Sequence, residues 1–531
     1  MSVGIITSAA FINPEMSAEF GLLPPAFLPV GNARLFRHQA GLLKKLTDRQ
    51  VLTLPESFVI PAHDARLLKQ LDLKVVRLPD GLSLAQSVMM AIIQSIDGDE
   101  PVTILHGDTL FLGLEDFALD RVSVHNKRNP YPWAVVADDA PLTVMPSLEG
   151  AGGALVSGLF SFAHSLAFLK CLAAPGRDFL SALNCYGAQF EAFSAAPEAG
   201  EWLDFGHLNT YYDSRRALTT QRAFNTLSIA RNVVRKSSAQ SDKMDAEASW
   251  FEALPGDLRT FVPAYIGREG AGATTAGYRL AYEYLCPLSD LYVFGALPPV
   301  SWARILTACG DVLTRFKAHK PDVALPCLFD ALYQRKPAER LAQFAAVAGI
   351  DPERGWRING RAMPSLAALI REMAARIGPP DANDIALMHG DFCLSNILFD
   401  FRRGEIKLLD PRGAVTAGRP SLFGDARYDR AKLCHSLAGG YDFIVAGCFD
   451  LTRDGSYALS LSVAQAMGQE AIETLYRDII CGGDPTQVET AAAGAVLLFL
   501  SMLALHDEAP PRQWALLANA YRLYQRHFGA A

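Results

Sequence analysis

The chain is predicted to carry two modules of different class. Residues 1–222 read as an α/β module built on a mainly parallel sheet. Residues 223–531 read as a two-lobed α+β module, with a small lobe at 223–296 and a helix-rich large lobe at 297–531. Three observations predict this division. A chain of 531 residues is too long for one core and implies about two to four domains at roughly 150 residues each. Short β-rich runs alternate with amphipathic helical patterns only in the first two hundred residues or so, and such alternation is the mark of a parallel α/β sheet. Beyond them lie a β-rich passage, a pair of hairpin strands near residue 400 and long helical patterns.

The elements of the first module follow from composition and period. Val3–Ser8, Val51–Leu54, Lys74–Leu78, Val102–Leu105 and Trp133–Ala137 are apolar and β-branched enough for buried strands. Leu35–Leu46, Ala65–Leu71 and Leu84–Ile96 carry the helical period between them. In open α/β sheets ligands sit beyond the carboxyl ends of the strands, and the strand ending at His106 delivers Gly107-Asp108 to that edge. Later come Ala154-Leu155-Val156-Ser157-Gly158-Leu159-Phe160-Ser161-Phe162 and Glu201-Trp202-Leu203-Asp204-Phe205-Gly206. The passage from Arg216 to Ser228 reads as the connection between modules, with the second module beginning near Ala223.

In the second module, Ile229–Lys236 reads as a strand ending in a lysine, with a helical pattern about ten residues on. Two glutamates of that helix differ in direction. At 100° per residue Glu247 shares a face with Trp250, Phe251 and Leu254, whereas Glu252 points about 140° away. A carboxylate on a buried stripe requires a cation, so Glu247 is expected to face Lys236. Alternate strand residues face opposite sides, so Arg235 and Lys236 cannot both do so, and Lys236 also fits as a surface lysine.

The densest chemistry lies in residues 388–413, Met-His-Gly-Asp-Phe-Cys-Leu-Ser-Asn-Ile-Leu-Phe-Asp followed by Phe-Arg-Arg-Gly-Glu-Ile-Lys-Leu-Leu-Asp-Pro-Arg-Gly. Asp391 and Asn396 are spaced as the hydroxyl-activating Asp and the magnesium-binding Asn are spaced in kinase catalytic loops. Ile397–Phe399 and Ile406–Leu409 form two strands joined at Gly404, which returns Asp410 beside Asn396. Magnesium takes hard oxygen ligands, often one or two from protein, and Asn396 with Asp410 supplies two.

These residues resemble the aminoglycoside phosphotransferase and choline kinase family, whose pattern is His-Gly-Asp-x-x-x-x-Asn followed by a metal-binding Asp. The resemblance implies a kinase-like fold that uses ATP and Mg2+, with Asp391 as base and Asn396 and Asp410 as metal ligands. It implies that Asp429, in Gly424-Asp425-Ala426-Arg427-Tyr428-Asp429-Arg430-Ala431-Lys432-Leu433, steadies the catalytic loop. It further implies that Lys236 touches the nucleotide phosphates and is steadied by Glu247. Tyr282-Glu283-Tyr284-Leu285 resembles the hinge at which Glu283 and Leu285 would meet the adenine edge. No glycine-rich flap precedes the Lys236 strand. The loop is His-Gly-Asp rather than His-Arg-Asp, and no Asp-Phe-Gly and Ala-Pro-Glu pair brackets an activation loop, which argues against a protein kinase.

The order Gly107-Asp108, the Gly158 strand and Trp202-Leu203-Asp204-Phe205-Gly206 resembles the sugar-phosphate nucleotidyltransferase family. The resemblance implies that Asp108 and Asp204 share a divalent ion between nucleotide and sugar phosphate, with CTP or UTP as the nucleotide. The chain departs from that family at its phosphate loop. Ser8-Ala9-Ala10-Phe11-Ile12-Asn13-Pro14-Glu15 has neither glycine nor a cation, and Leu23-Pro24-Pro25-Ala26 has Ala where the family has Lys. A backbone without glycine approaches phosphate less closely, and a leaving pyrophosphate without cations lacks a partner. Arg34 and Arg37 either replace those cations or are solvated surface charges. The module either transfers nucleotidyl groups or only binds and orients a phosphorylated product, and Asp108 and Asp204 also fit as cap or turn residues.

Together the resemblances imply a phosphotransferase acting on a hydroxyl of a sugar, polyol or amino alcohol, coupled to a domain that activates the product for surface polysaccharide synthesis. A nucleotide sensor or scaffold and an aminoglycoside-type antibiotic kinase are the alternatives. For choline, Trp356, Tyr441, Asp442 and Trp514 could contribute to a cage, or serve as core. Arg412 fits either a phosphate contact or a pair with an acid such as Asp425.

The two resemblances imply a small-molecule substrate and a nucleotide as partners, and composition argues against nucleic acid. Against 56 acidic side chains stand 49 basic ones, a formal charge of −7 with no basic run, so nucleic acid is not expected. Nine cysteines without a Cys-x-x-Cys pair are expected as buried free thiols in a reducing, cytoplasmic compartment. Cys393, inside the catalytic loop, is expected to pack rather than react. No signal peptide is evident, and the apolar run Ala491–Leu505 falls short of the roughly 20 residues of a membrane span, so a buried helix is expected. None of these patterns specifies an oligomeric state.

Overall fold

The computed structural model describes residues 1–126, 131, 133–137, 142–146, 154–197, 200–218, 226–230, 232–269, 276–322, 325, 329–416 and 419–529. The chain divides into two compact units, Met1–Thr219 and Thr220–Ala531. Residues 219–225, where the sequence places the start of the second module, lie outside the described residues, as does Arg231.

The first unit is built on a mixed sheet whose parallel block runs Val102–His106, Val3–Thr7, Arg49–Pro55 and Leu73–Leu78. Leu35–Leu46, Ala62–Gln70 and Leu84–Ser95 are the helices between these strands, as the alternation predicts. Burial on both faces explains why the strands read as unbroken apolar runs: Val3, Ile5 and Ile104 on one face and Ile6 and Leu105 on the other are all fully buried. Beyond Val102–His106 the sheet turns antiparallel through Ala154–Phe162, which also pairs with Ala134–Ala137 and Arg121–His125. The expected strand at Trp133–Ala137 thus belongs to the antiparallel half. Ser83 and Gln86 close a capping box at the start of Leu84–Ser95.

Two expectations for this unit are corrected. Arg34 is neither a solvated charge nor a substitute phosphate ligand. It is buried, pairs with Asp64 at 2.9 Å and donates to the Phe27 carbonyl, so it ties the segment before its helix to the Ala62–Gln70 helix. Arg37 is exposed. The thiols are not all free: Cys171 and Cys185, on the helices Ser165–Ala173 and Phe179–Gly187, form a disulfide with a Cα–Cα distance of 5.8 Å. The two positions face each other only because these helices pack side by side, which spacing in sequence does not reveal. Cys286, Cys309, Cys393, Cys434, Cys448 and Cys481 are free and buried.

The second unit opens with an antiparallel sheet in the order Thr226–Ala230, Val233–Ser238, Ala276–Ala281, Tyr265–Glu269. The single strand expected at Ile229–Lys236 is instead the two arms of a hairpin. Asn232 takes the left-handed conformation (φ 64°) at its turn, a role that Asn fills more readily than most residues. Lys236 therefore lies inside the second arm. Ser241–Ala253 is the helix packed against this sheet.

The rest of the unit is mainly helical, with Pro299–Ala318, Lys336–Ala348, Leu366–Ile377, Arg427–Leu437, Pro485–Met502 and Pro510–Phe528 as its longest helices. It also holds a four-stranded sheet, Arg361–Ser365, Gly355–Ile358, Ala458–Val463 and Phe449–Arg453, that the sequence reading does not anticipate. Its strands are short, and its two hairpins are far apart in sequence, the first ending at Ser365 and the second beginning at Phe449. The apolar run near the C-terminus is part of a longer helical stretch, Pro485–Leu505, which at 21 residues is long and apolar enough to cross a membrane. Ala491–Ser501 are buried along it, against Arg427–Leu437 and Pro510–Phe528.

Gly413 joins the two lobes of this unit. Its φ is +63°, and a Cβ there would lie 2.0 Å from the Ala246 carbonyl oxygen, inside the Ser241–Ala253 helix. Gly413→Ala is expected to cost more than about 2 kcal/mol, because it combines backbone strain with overpacking. Denaturant unfolding of the full chain measures this, and an unchanged midpoint would contradict the close approach.

Candidate phosphoryl-transfer site

The site in the second unit is assembled from four local structures. Strand Ile385–Leu387 pairs with Phe423–Asp425 and leads into the loop that carries Asp391. A single 3-10 turn, Leu394–Asn396, then enters the hairpin Ile397–Asp400 and Glu405–Leu408. The Leu409 amide donates to the Asn396 carbonyl at 2.8 Å, closing the hairpin mouth so that Asp410 follows beside Asn396. Asp410 takes φ 54°, an uncommon conformation for a residue with a Cβ, and its side chain is among the few exposed acids here.

Asp391 is gripped from two sides. The Asn396 amide donates to Asp391 Oδ2 at 2.9 Å and to the Asp391 carbonyl at 3.0 Å. Lys432 Nζ lies 2.7 Å from Oδ1. Burial works against the Lys432 ammonium, but Asp391 and the other surrounding groups outweigh it and hold its pKa above the ordinary range. The sequence reading does not single out Lys432. The available signal is its position three residues after Asp429, which places both on one helix face.

Asp429 fixes the loop backbone. Its Oδ2 accepts from the His389 amide and its Oδ1 from the Gly390 amide, both at 2.7 Å in a fully buried setting. Burial pushes this carboxyl up to about 7, while the two amides hold it down. His389 stays neutral: burial drives its pKa down to about 4, and its Nδ1 accepts the Asp391 amide. Burial pushes the Cys393 thiol up to about 12, so it is no nucleophile near neutral pH.

Lys236 reaches the same site from the small-lobe sheet. Its Nζ lies 2.7 Å from Glu247 Oε2 and 3.0 Å from Asp410 Oδ1. Burial opposes the ammonium, but Asp410 and Glu247 outweigh it and hold its pKa above the usual value. Tyr278 also donates to Glu247 Oε2, at 2.8 Å. Glu252 points elsewhere, into an exposed pair with Arg268. Glu283 and Leu285 lie not on a strand but in the connection between Ala276–Ala281 and the helix Leu288–Phe294, where the Tyr282 amide donates to the Asn232 carbonyl.

The donor set suits magnesium. The Asn396 amide nitrogen is committed to Asp391, which leaves Oδ1 as its acceptor, and the half-exposed Asp410 carboxylate is a second hard oxygen. Asp425 does not pair with Arg412, because Arg427 takes it through two nitrogens, at 2.8 Å and 3.0 Å. The four cage candidates fall into two groups. Trp356 and Trp514 are buried against each other, with centroids 6.2 Å apart, while Tyr441 packs at a tilt against His435, with centroids 4.4 Å apart and Asp442 beside it in sequence.

In the first unit, Asp108 occupies the turn between Val102–His106 and Thr109–Leu112, and Asp204 ends the strand Glu201–Asp204 that pairs with Thr109–Leu112. The two carboxylates flank Gly206, where a Cβ would lie 2.6 Å from Asp108 Oδ2 and 3.4 Å from Asp204 Oδ1. Both line a cavity of about 400 Å³ together with His106, Trp133, Phe160 and His207. Two such carboxylates suit a divalent ion. The segment that resembles a phosphate loop is committed to the fold: the Ser8 amide donates to Thr53, the Ile12 amide to the Leu23 carbonyl, and Asn13 caps the helix Pro14–Phe20 while donating to the Gly206 carbonyl.

A small antiparallel sheet with a Lys–Glu pair, joined to a helical lobe that bears an Asp-loop and a second Asp after a hairpin, defines a kinase-like phosphotransferase module. Residues 215–419 match the model of the phosphotransferase enzyme family. Among solved structures, a type VIII aminoglycoside-3'-phosphotransferase is similar at 18% identity, covering 54% of this chain and 98% of its own, with a TM-score of 0.32. A putative glucose-1-phosphate thymidylyltransferase from Bacillus anthracis is similar at 13% identity, covering 42% of this chain and 97% of its own, with a TM-score of 0.35. The inositol-1-phosphate CTP transferase from T. maritima is similar at 13% identity, covering 41% and 96%, with a TM-score of 0.32. No curated protein matches the chain.

The two glutamates of the Ser241–Ala253 helix separate burial from exposure in one experiment. Glu247→Ala, which strands a buried Lys236, is expected to cost about 3–5 kcal/mol in denaturant unfolding. Glu252→Ala, which removes an exposed partner, is expected to cost less than about 1 kcal/mol. Equal costs would contradict this difference.

Proposed function

We propose that the protein is an ATP-dependent phosphotransferase acting on a hydroxyl of a small molecule. The observation that carries the reading is the convergence of Asp391, Asn396, Asp410 and the Lys236–Glu247 pair on one site. Asp391 accepts the acceptor's proton while the acceptor oxygen bonds to the γ-phosphorus. The bond from that phosphorus to the β,γ-bridging oxygen breaks, and ADP leaves with the electron pair. Lys236 neutralises phosphate charge, Glu247 holds Lys236, and Glu283 and Leu285 meet the adenine edge. Asn396 and Asp410 hold Mg2+, which neutralises the phosphates when bound. Catalysis of this kind is mainly positioning and charge stabilisation.

For the first unit we propose that Asp108 and Asp204 hold a divalent ion against a phosphorylated sugar, polyol or amino alcohol, with CTP or UTP as co-substrate. The product would be an activated precursor for surface polysaccharide. The commitment of the Ser8 and Ile12 amides to the fold favours a second reading, in which this unit binds the phosphorylated molecule without transferring a nucleotidyl group. A cytoplasmic location belongs to the same proposal.

Incubation with Mg-ATP and a pool of sugars, polyols, amino alcohols and aminoglycosides, read by mass spectrometry, tests the kinase reading. A phosphate ester is expected from the unaltered protein. Asp391→Asn and Asp410→Asn are each expected to lower its rate at least a hundredfold. An ester formed equally well by both variants would sink the assignment.

Gly206→Ala addresses the first unit. Its methyl group displaces Asp108, and Mn2+ binding to that unit, read by calorimetry against an Asp410→Asn background, is expected to weaken at least tenfold. Unchanged binding would remove Asp108 and Asp204 from the metal site.

A further inference from the structure

On the Lys432 side of Asp391, away from Asn396, the second unit gathers positive charge around one buried phenol. Arg412 lies with its guanidinium carbon 5.7 Å from the Tyr428 ring centre, and Lys336 Nζ lies 5.9 Å from the same centre. Arg340, one turn along the Lys336–Ala348 helix, belongs to the same neighbourhood and donates to the Ser501 carbonyl at 3.0 Å. Lys432, one turn after Tyr428 on its helix, is the fourth cation and holds Asp391 Oδ1.

Among the described residues the nearby acids are already paired. Asp391 is taken by Lys432 and Asp425 by Arg427. Among the described residues Lys336 makes no ion pair. Grouping partly buried cations costs free energy through desolvation and mutual repulsion. The effect on the groups themselves is consistent: burial lowers Lys336 to about 8, with Arg412, Arg340 and Lys432 adding to the drop against Tyr428. Burial raises Tyr428, yet Lys336, Lys432 and Arg412 bring it down to about 8. A concentration of one sign of charge attracts a ligand of the other.

The cluster is tied to the catalytic loop by backbone. The Arg412 amide donates to the His389 carbonyl at 2.9 Å, and the Arg412 stem fills the space beside Gly390, where a Cβ would lie 2.7 Å from Arg412 Cβ. Asp391 therefore stands between two regions. Its Oδ2 faces Asn396, and its Oδ1 faces Lys432 and the cations beyond.

We propose that Lys336, Arg340 and Arg412, gathered around Tyr428 beside Asp391, bind a negatively charged group on the acceptor. The molecule phosphorylated is then a hydroxylated anion, bearing a carboxylate or a phosphate, rather than a neutral sugar or a cationic aminoglycoside. This narrows the acceptor and rests on the phosphotransferase reading.

The test uses the full chain with Mg-ATP and four acceptors of one size: glucuronate, glucose 6-phosphate, glucose and glucosamine. At least one of the two anions is expected to exceed glucose and glucosamine about tenfold or more in kcat/KM, and the better of the two identifies carboxylate or phosphate as the recognised group. Lys336→Met is expected to raise KM for that anion about tenfold, with a smaller change in kcat, and Lys336→Arg to restore it. Preference for glucose or glucosamine would overturn the proposal. So would a fall in kcat with KM for the anion unchanged, which would give the cations to the transferring phosphoryl group.

If none of the four is phosphorylated, the kinase reading is tested by its own broader panel, and calorimetry still decides this one. Binding of glucuronate or glucose 6-phosphate to the unaltered protein, weakened about tenfold in Lys336→Met, would support an anion subsite. No binding of either would overturn it. Thermal melting of both Lys336 variants separates a lost subsite from a lost fold.

Discussion

The carboxylate of Asp429 accepts one backbone N–H from His389 and one from Gly390, and the geometry of the candidate site is measured from that clamp. A loop left to solvent would satisfy those amides with water and adopt many conformations. A buried acid with one oxygen for each amide selects one. Gly390 then turns through φ +77°, Arg412 packs its stem where a side chain would have stood, and Asp391 projects between Asn396 and Lys432. Trp250 adds a second tie, donating from the small-lobe helix to the Met388 carbonyl at 3.0 Å. The loop that carries the acid is thus anchored to both lobes of its unit.

Charge in the second unit is arranged by the same logic. Three buried acids around the site are paired: Glu247 with Lys236 and Tyr278, Asp425 with Arg427, Asp429 with two amides. Asp410 departs from this, half exposed and shared with Lys236, as a residue that must also meet an ion would be. The cations around Tyr428 depart in the other direction, with Lys336 in no ion pair among the described residues. Pairing each charge would have been the cheaper solution for stability alone. Sites that receive a charged ligand leave part of that pairing to the ligand.

The first unit divides differently between fold and chemistry. Its parallel strands carry the carboxyl-edge turn at Asp108 to the cavity, and Asp204 arrives there by pairing with Thr109. The loop from Ser8 to Asn13, by contrast, spends amides and its Asn side chain on Thr53, Leu23, Met16 and Gly206. Acid pair and phosphate loop are separable parts of such a site: here the acid pair lines the cavity, while the loop is held by the fold.

Sequence by itself determined what depends on short range. Period and β-branching located the parallel strands and their helices. The fixed spacing of Asp391, Asn396 and Asp410 was enough to bring them together, because a 3-10 turn and a tight hairpin leave few other geometries. The helical wheel separated buried Glu247 from exposed Glu252. Tertiary structure alone decided which charges meet across longer gaps. Asp425 could be matched to Arg412 or Arg427 by composition, and only packing chose Arg427. Arg34 read as a surface charge until the Ala62–Gln70 helix brought Asp64 to it. The hairpin at Asn232 broke what read as one strand, and the disulfide between Cys171 and Cys185 required two helices to lie side by side. Backbone preference acts over a few residues and is written in their order. Desolvation and ion pairing act through space, between residues whose separation in sequence carries no such signal.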